Sequence, residues 1–168
     1  KNIRFEYGEY GKPSLPGDPF YFNLSHSHYL AILVVYKQYP VGIDIEWIHR
    51  KIELMGIAKR FFAPNEYNDL ENLPEGSRRA GFFNCWTRKE AYIKADGAGL
   101  QIPLSQFEVS LKPNEPSQLK STAHNPTAVN MWKLISFKPN EDYQAALAVH
   151  KEENDRRFFD ASILKKTI

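Results

Sequence analysis

The sequence contains a single cysteine, Cys85, among 168 residues. One cysteine excludes an internal disulfide framework and is typical of a reducing compartment, so we expect a cytoplasmic protein. The longest apolar run, residues 29–36, has the length of a strand and is far shorter than the roughly 20 residues that a membrane span needs. The sequence also shows no signal peptide, internal repeat or low-complexity tract. These absences predict a globular protein with no membrane partner.

The motifs of several enzyme classes are missing as well. The sequence has no G-x-S-x-G nucleophile motif, and no histidine is placed to suggest a Cys–His pair with Cys85. The glycine-rich phosphate loops G-x-x-x-x-G-K-[ST] and G-x-G-x-x-G do not occur, and no cysteine and histidine spacing suits zinc. The net charge of +2 is too small to predict a nucleic-acid partner.

The apolar pattern predicts one domain over residues 20–150, preceded by a loop segment at 1–19 and followed by a charged, peripheral tail at 151–168. Segments rich in aromatic and β-branched residues are predicted strands, namely 20–24, 29–36, 41–46, 107–111, 129–137 and 143–149. Because short turns link the first three, we expect them to be neighbours in one antiparallel sheet.

Helical periodicity predicts three helices between the two groups of strands. Apolar residues recur at helical spacing over 52–62 and over 65–73. A longer helix is predicted from an N-cap at Ser77 to Asp96, where Gly97 provides a stop signal. Strands, then helices, then strands again are typical of the α+β class.

Two acids stand close together on the third predicted strand, in the sequence VGIDIE at 41–46. Side chains at i and i+2 of a strand leave the same face, so Asp44 and Glu46 point together. Two unit charges about 4 Å apart at an effective dielectric constant near 20 repel each other by about 4 kcal/mol. If the two acids are buried, a bound partner must offset this repulsion. If they lie on the solvent-exposed face of an edge strand, nearby surface lysines would be enough to offset it.

A third acid lies in the long helix, in the sequence WTRKEAYIK at 86–94. Glu90 and Lys94 share a helix face, where they could form an ordinary ion pair with no further role. Trp86 lies one turn before Glu90 on the same side and argues against full exposure. With the two strand acids, Glu90 would complete the oxygen-rich ligand set that Mg²⁺ prefers, and Lys94 would add a charge for phosphates. This combination predicts a site for a pyrophosphate substrate.

The sequence FNLSHS at 22–27 places Ser25 and His26 where a predicted strand ends. Side chains at such positions often contact ligands, although this pair could equally stabilise a turn. On the residues alone, both interpretations stay open.

Five stretches of the sequence carry a family resemblance. They are EYGKP (9–13), FNLSHS (22–27), GIDIE (42–46), AKRFFAPNEY (58–67) and WTRKEAYIKADGAGL (86–100). Taken in this order, they resemble the 4′-phosphopantetheinyl transferase superfamily, and within it the surfactin-synthetase-activating (Sfp) type. The resemblance runs from about residue 3 to about residue 110, and its most specific part is GIDIE followed about 40 residues later by W-x-x-K-E-A-x-x-K.

The resemblance implies an α+β fold in which an antiparallel sheet packs on a long helix. Members of this type usually join two such halves in one chain, a pseudo-dimer that works as a monomer. The present sequence matches the second half, so the first half is expected to be largely absent. So short a chain could self-associate, as smaller relatives do when they form trimers.

The resemblance also implies a reaction and its partners. Such enzymes move the 4′-phosphopantetheine arm of coenzyme A to a serine of an acyl or peptidyl carrier protein, and they release 3′,5′-ADP in the presence of Mg²⁺. The carrier protein would serve fatty-acid, polyketide or nonribosomal-peptide synthesis, or lysine biosynthesis via aminoadipate. It is expected to dock around residues 61–67.

Residue by residue, the resemblance implies a complete set of site residues. The metal ligands would be Asp44, Glu46 and Glu90. The catalytic residues would be Glu90, Lys89 and Lys94, with Lys94 against the pyrophosphate. The contacts to coenzyme A, from the adenine-side loop in segment 1–19 to the nucleotide phosphates, would be Tyr10, Gly11, Lys12, Pro13, Ser25, His26 and Lys94.

Two other functions fit part of the pattern. A metal-dependent phosphoesterase or nuclease could use the same acids and lysine to activate water, but it would leave Trp86 and the EYGKP stretch unexplained. A non-catalytic fragment that binds coenzyme A or a carrier protein would explain the expected absence of the first half. The intact set of acids together with Lys94 favours the transferase.

Overall fold

The structure is a computed structural model, and it describes residues 4–9, 11–17, 20–97, 102–152 and 157–160. The strands in these ranges are β1 (Glu6–Tyr7), β2 (Pro13–Ser14), β3 (Tyr21–Ser27), β4 (Leu30–Tyr36), β5 (Gly42–Trp47), β6 (Phe107–Val109), β7 (Leu119–Thr122), β8 (Trp132–Phe137) and β9 (Tyr143–His150). The helices are α1 (Leu54–Phe61), α2 (Pro64–Glu71), α3 (Glu75–Asp96) and α4 (Ala128–Met131), and a short 3-10 helix spans Leu104–Gln106. This order confirms the predicted α+β class.

The strands pair differently from the prediction. β3 and β4 form an antiparallel hairpin, as expected, but β5 does not join them through backbone pairing. Instead β5 pairs with β9, which lies between β5 and β8 in a three-stranded antiparallel sheet. The prediction of one sheet from the first three strands is therefore wrong. The reason is that β5 and β9 are far apart in the sequence, and the local pattern of a strand does not reveal its partner.

Gly42 brings β5 into close contact with α3. A Cβ atom at this position would overlap the carbonyl oxygen of Ala91 and the amide nitrogen of Ala95. Only glycine allows two backbones to approach so closely, and the small side chains of α3 extend the contact. This packing fixes the strand that carries two predicted site acids against the helix that carries the third.

The main core forms around α3. Phe82, Phe83 and Tyr92 are fully buried, and together with Phe107 they join the helix to β6 and to the rest of the hydrophobic cluster. Burying each large side chain contributes about 1.5–3 kcal/mol. Trp86 is half-buried and stacks on Phe82 with ring centroids 6.0 Å apart. This agrees with the expectation that this face of the helix is not fully exposed. Within the described ranges, no helix has both the length and the apolar character to cross a membrane.

Several short elements escaped prediction. The N-terminal segment contains the paired strands β1 and β2, and β7 is also additional. The strand predicted at 129–137 begins only at Trp132, because α4 occupies its first residues. The long helix starts at Glu75, after Pro74, and therefore two residues before the predicted N-cap at Ser77. Elements of two to four residues are too short to show a period, whereas the predicted stop at Gly97 is confirmed by its left-handed φ of 85°.

Candidate active site

Asp44 is the most buried of the predicted site acids, with 5% of its surface exposed. Its Oδ1 atom accepts a hydrogen bond from Lys94 Nζ of α3 at 2.6 Å and another from Ser25 Oγ of β3 at 3.1 Å. Its Oδ2 atom is buried and has no hydrogen-bond partner among the described residues. Three elements, β3, β5 and α3, thus meet at one carboxylate, and one of its oxygens is left unsatisfied.

Burial and the neighbouring charges shift the pKa values of two of the acids, Asp44 and Glu90. Burial raises the pKa of Asp44 to about 7, because the carboxylate loses water when the protein folds. Lys94 opposes this shift, whereas the negative charges of Glu90 and Glu46 add to it. Burial also raises the pKa of Glu90, with Lys94 lowering it and Glu46 raising it further. The three acids therefore interact electrostatically between β5 and α3, and Lys94 lies among them.

Glu46 has its own cationic partner. Its Oε2 atom lies 3.3 Å from Nη1 of Arg50 and accepts a hydrogen bond from Ser27 Oγ at 3.1 Å. The Arg50 guanidinium also lies over the ring of Phe83, 5.8 Å from its centroid. Sequence reasoning predicted neither Arg50 nor Ser27 as a site residue.

The acids suit Mg²⁺ in donor type, although the site is not a preformed metal cage. In the part of the chain that the structure describes, no group of three or more histidine, cysteine, aspartate or glutamate side chains is arranged to hold a metal ion. Mg²⁺ is usually bound by one or two carboxylates together with water and substrate phosphates, so three converged ligands are not required. The buried Oδ2 of Asp44 is an acceptor that a cation would satisfy. On this evidence the residues fit the ion.

A small cavity connects the N-terminal loop with Lys94. It has a volume of about 160 Å³, and its lining includes Gly11, Lys12, Pro13, Asn23 and Lys94. The structure therefore brings three of the four predicted adenine-side residues next to the predicted pyrophosphate lysine. The fourth residue of that loop, at position 10, lies outside the described residues.

The Lys12 side chain crosses to the end of α3. Its Nζ atom donates to the carbonyl oxygens of Lys94 at 2.6 Å, Ala95 at 3.3 Å and Val41 at 3.4 Å. A cation is well placed at the C-terminal end of a helix, where carbonyl groups lack partners. Burial nevertheless lowers the pKa of Lys12 to about 8, with Asp96 opposing that shift. Lys12 thus links the N-terminal loop to the last turn of α3, which carries Lys94.

Ser25 and His26 lie within β3, which continues to Ser27, and not at the end of a strand as predicted. They occupy opposite faces of this strand. Ser25 is buried and contacts Asp44, whereas His26 is exposed. Successive side chains of a strand point to opposite faces, so both cannot reach the acids from this backbone. The structure therefore brings only the serine of this pair to the acids, and the predicted contact of His26 with the nucleotide phosphates stays a prediction.

Lys89 is separated from the other site residues. Its side chain is fully buried, and its Nζ lies 2.7 Å from Glu66 Oε2 of α2. It also donates to the carbonyl oxygens of Leu104 at 2.6 Å and Phe107 at 2.5 Å. These three contacts match the three donors of an ammonium group. The arrangement indicates a structural role for Lys89, and the catalytic role expected from the sequence stays a prediction.

The chain is similar in sequence to one superfamily. A family model described as the 4′-phosphopantetheinyl transferase superfamily matches residues 40–148. The chain is 40% identical over 152 residues to the 4′-phosphopantetheinyl transferase HetI of Nostoc sp., which covers 88% of this chain and 60% of that protein. It is 37% identical over 135 residues to the 4′-phosphopantetheinyl transferase Sfp of Bacillus subtilis, which covers 79% of this chain and 59% of that protein.

A solved structure shares the fold. The holo-[acyl-carrier-protein] synthase of Thermotoga maritima superposes with a TM-score of 0.54 at 23% sequence identity, over 66% of this chain and 62% of that one. At this identity the likeness concerns the fold alone. The chain spans about 60% of the length of the two curated relatives described above.

Proposed function

The chain belongs to the 4′-phosphopantetheinyl transferase superfamily, and on this basis we propose that it transfers the 4′-phosphopantetheine arm of coenzyme A to a serine of a carrier protein. The serine oxygen forms a bond to the phosphorus of the arm. The bond from that phosphorus to the bridging oxygen of the pyrophosphate breaks, and 3′,5′-ADP leaves with the electron pair. The serine proton passes to a base of the enzyme.

The observation that carries the proposal is the position of Lys94. Its ammonium group contacts the buried Asp44, and the same residue lines the cavity with Gly11, Lys12 and Pro13. A ligand extending from this cavity would meet Lys94 before it reached the acids. A lysine is a suitable point charge for the phosphates of such a ligand.

Glu90 is the residue that we assign as the base. Its partly buried carboxylate lies one helical turn from Lys94, so it would be close to a diphosphate held by that lysine. Lys94 would hold the diphosphate and stabilise the charge that grows on the leaving group. The attack must be in line with the breaking bond, so the fixed orientation of β5 against α3 matters as much as acid–base strength.

Asp44, Glu46 and Glu90 would hold Mg²⁺. The ion would supply a Lewis acid for the diphosphate. Asp44 is central to this role because its buried Oδ2 atom has no partner in the described part of the chain, while its Oδ1 atom is bound by Lys94.

The experiment is mass spectrometry of apo carrier proteins after incubation with the protein, coenzyme A and Mg²⁺. Carriers from fatty-acid, polyketide and peptide synthesis would be compared, and we expect one of them to gain one phosphopantetheine mass. Asp44→Ala should abolish the gain while the protein stays folded by circular dichroism. Asp142→Ala is the matched control, because this exposed acid pairs with His49 away from the site.

Two results would contradict the proposal. Near-normal transfer by the Asp44→Ala variant would remove Asp44 from the mechanism. If the wild-type chain modifies none of the carriers at saturating Mg²⁺, it does not carry out this transfer by itself.

A further inference from the structure

The edge of β5 that faces away from β9 forms hydrogen bonds with side chains and not with the backbone of another strand. One edge of β5 is occupied by β9. On the other edge, three backbone amides donate to three side chains of β3, in the pairs Ile43 to Asn23 Oδ1 (2.9 Å), Ile45 to Ser25 Oγ (3.3 Å) and Trp47 to Ser27 Oγ (2.9 Å). We call these three bonds the side-chain ladder.

The side-chain ladder forms because β3 and β5 have the same two-residue period. Alternate residues of β3 face β5, and alternate amides of β5 point away from β9, so bonds recur at every second residue of both strands. A buried amide without a partner costs about 1–3 kcal/mol, which makes each of these acceptors significant. The ladder therefore replaces the backbone pairing that β5 lacks on this edge.

Two of the three β3 side chains in the ladder, Ser25 and Ser27, also form hydrogen bonds with the site acids. A hydroxyl group can accept one hydrogen bond and donate another. Ser25 accepts from an amide and donates to Asp44, and Ser27 accepts from an amide and donates to Glu46 Oε2 at 3.1 Å. The amide fixes the oxygen of each hydroxyl, and the hydroxyl hydrogen then fixes one carboxylate oxygen.

We propose that Ser27 is a positioning residue that orients the carboxylate of Glu46 for metal binding, an inference that rests on the proposed function. Among the described residues, the bonds to this carboxylate converge on Oε2, from Ser27 and from Arg50. This leaves the other oxygen, Oε1, to a ligand. Ser27 holds Glu46 without adding a positive charge, whereas the Arg50 guanidinium would repel a cation. Hydrogen bonds from outer residues are known to tune the affinity of metal ligands in this way.

The test compares variants of Ser27 with one another and with a serine elsewhere. Ser27→Ala removes the hydroxyl. Ser27→Thr and Ser27→Val have nearly the same shape and differ in the hydroxyl, so any clash of the added methyl group affects both. Ser117→Ala is the matched control, because this half-buried serine donates to Ser136 Oγ outside the ladder.

The readouts are Mg²⁺ affinity by isothermal titration calorimetry, arm transfer and the midpoint of thermal unfolding. We expect Ser27→Ala and Ser27→Val to bind Mg²⁺ about tenfold more weakly than wild type. Ser27→Thr and Ser117→Ala should bind it as the wild type does. If Ser27→Ala and Ser27→Val do not fold, Ser27→Cys takes their place, because its thiol is a weaker donor and acceptor than the hydroxyl of Ser27→Thr.

The outcomes separate this inference from the proposed function. Equal Mg²⁺ affinity of the threonine and valine variants, in a protein that binds the ion and transfers the arm, would overturn the role of Ser27 alone. A wild-type protein that neither binds Mg²⁺ nor transfers the arm would overturn the proposed function, and the role of Ser27 with it. A lower unfolding midpoint with unchanged affinity would show that the ladder only stabilises the fold.

Discussion

The buried ion pair between Lys89 and Glu66 should be essential for stability. The two side chains are 0% and 3% exposed, with Nζ and Oε2 2.7 Å apart. Every donor of the ammonium group is used, and the carboxylate accepts two further hydrogen bonds from backbone amides. The pair links α2, α3 and the start of β6, so its loss would affect three elements at once.

The replacement Lys89→Met keeps much of the side-chain volume and removes the charge. Glu66 would then be a buried carboxylate without a cation, and breaking a buried pair in this way costs about 3–5 kcal/mol. For a chain of this length, each kcal/mol lowers the unfolding midpoint by about 2–4 °C, so we expect a decrease of about 6–20 °C. That loss is a large fraction of the 5–15 kcal/mol that stabilises a typical domain.

Thermal and urea unfolding, followed by circular dichroism, measure this effect. Lys112→Met is the matched control, because Lys112 pairs with Asp69 at 3.0 Å where the side chains are 51% and 34% exposed. An exposed pair contributes at most about 1 kcal/mol. The double variant Lys89→Met/Glu66→Leu should be more stable than the sum of the single effects predicts, because no charge stays buried.

The opposite result would restore a catalytic role for Lys89. If Lys89→Met unfolds at the wild-type midpoint but has lost arm transfer, the ion pair is dispensable and the lysine acts in the reaction. If the variant is destabilised as expected and still transfers the arm at low temperature, the structural role stands.

Two further predictions concern the elements that hold the site. Gly42→Ala should lower the free energy of unfolding in urea by about 1–3 kcal/mol or more, because its Cβ would overlap backbone atoms of Ala91 and Ala95; wild-type stability would disprove that contact. For Lys12, burial lowers the folded-state pKa from 10.5 to about 8, so between these values the unfolded state binds more protons and stability rises with pH. The unfolding free energy of wild type relative to Lys12→Met should therefore increase from pH 8 to pH 10, and a constant difference would contradict the burial of Lys12.

Local signals in the sequence were enough to predict β5 and α3, the two elements that carry the acids. Apolar residues alternate along β5, and α3 ends at the predicted glycine stop signal. The partner of β5 could not be predicted, because the pairing with β9 joins distant parts of the chain. The hydrophobic runs of the two strands show that both are buried, but they do not show that they are neighbours.

The sequence already contained a signal that two of the predicted site residues lie apart from the acids. Strand alternation predicted that Asp44 and Glu46 share a face, and the same rule places Ser25 and His26 on opposite faces. Likewise, adjacent helix residues lie about 100° apart around the axis, so Lys89 and Glu90 cannot face the same site.

If the chain binds Mg²⁺ as proposed, Asp44 would bind two cations, because its two oxygens have different surroundings. Its Oδ1 atom is occupied by Lys94, which offsets the repulsion of about 4 kcal/mol that an adjacent acid would cause. Its Oδ2 atom has no partner among the described residues. An ion bound there would not have to displace Lys94, and Lys94 could then contact a diphosphate from a fixed position. Lys94 would thus have two roles: it offsets the repulsion between the paired acids in the folded protein, and it is positioned to contact the substrate.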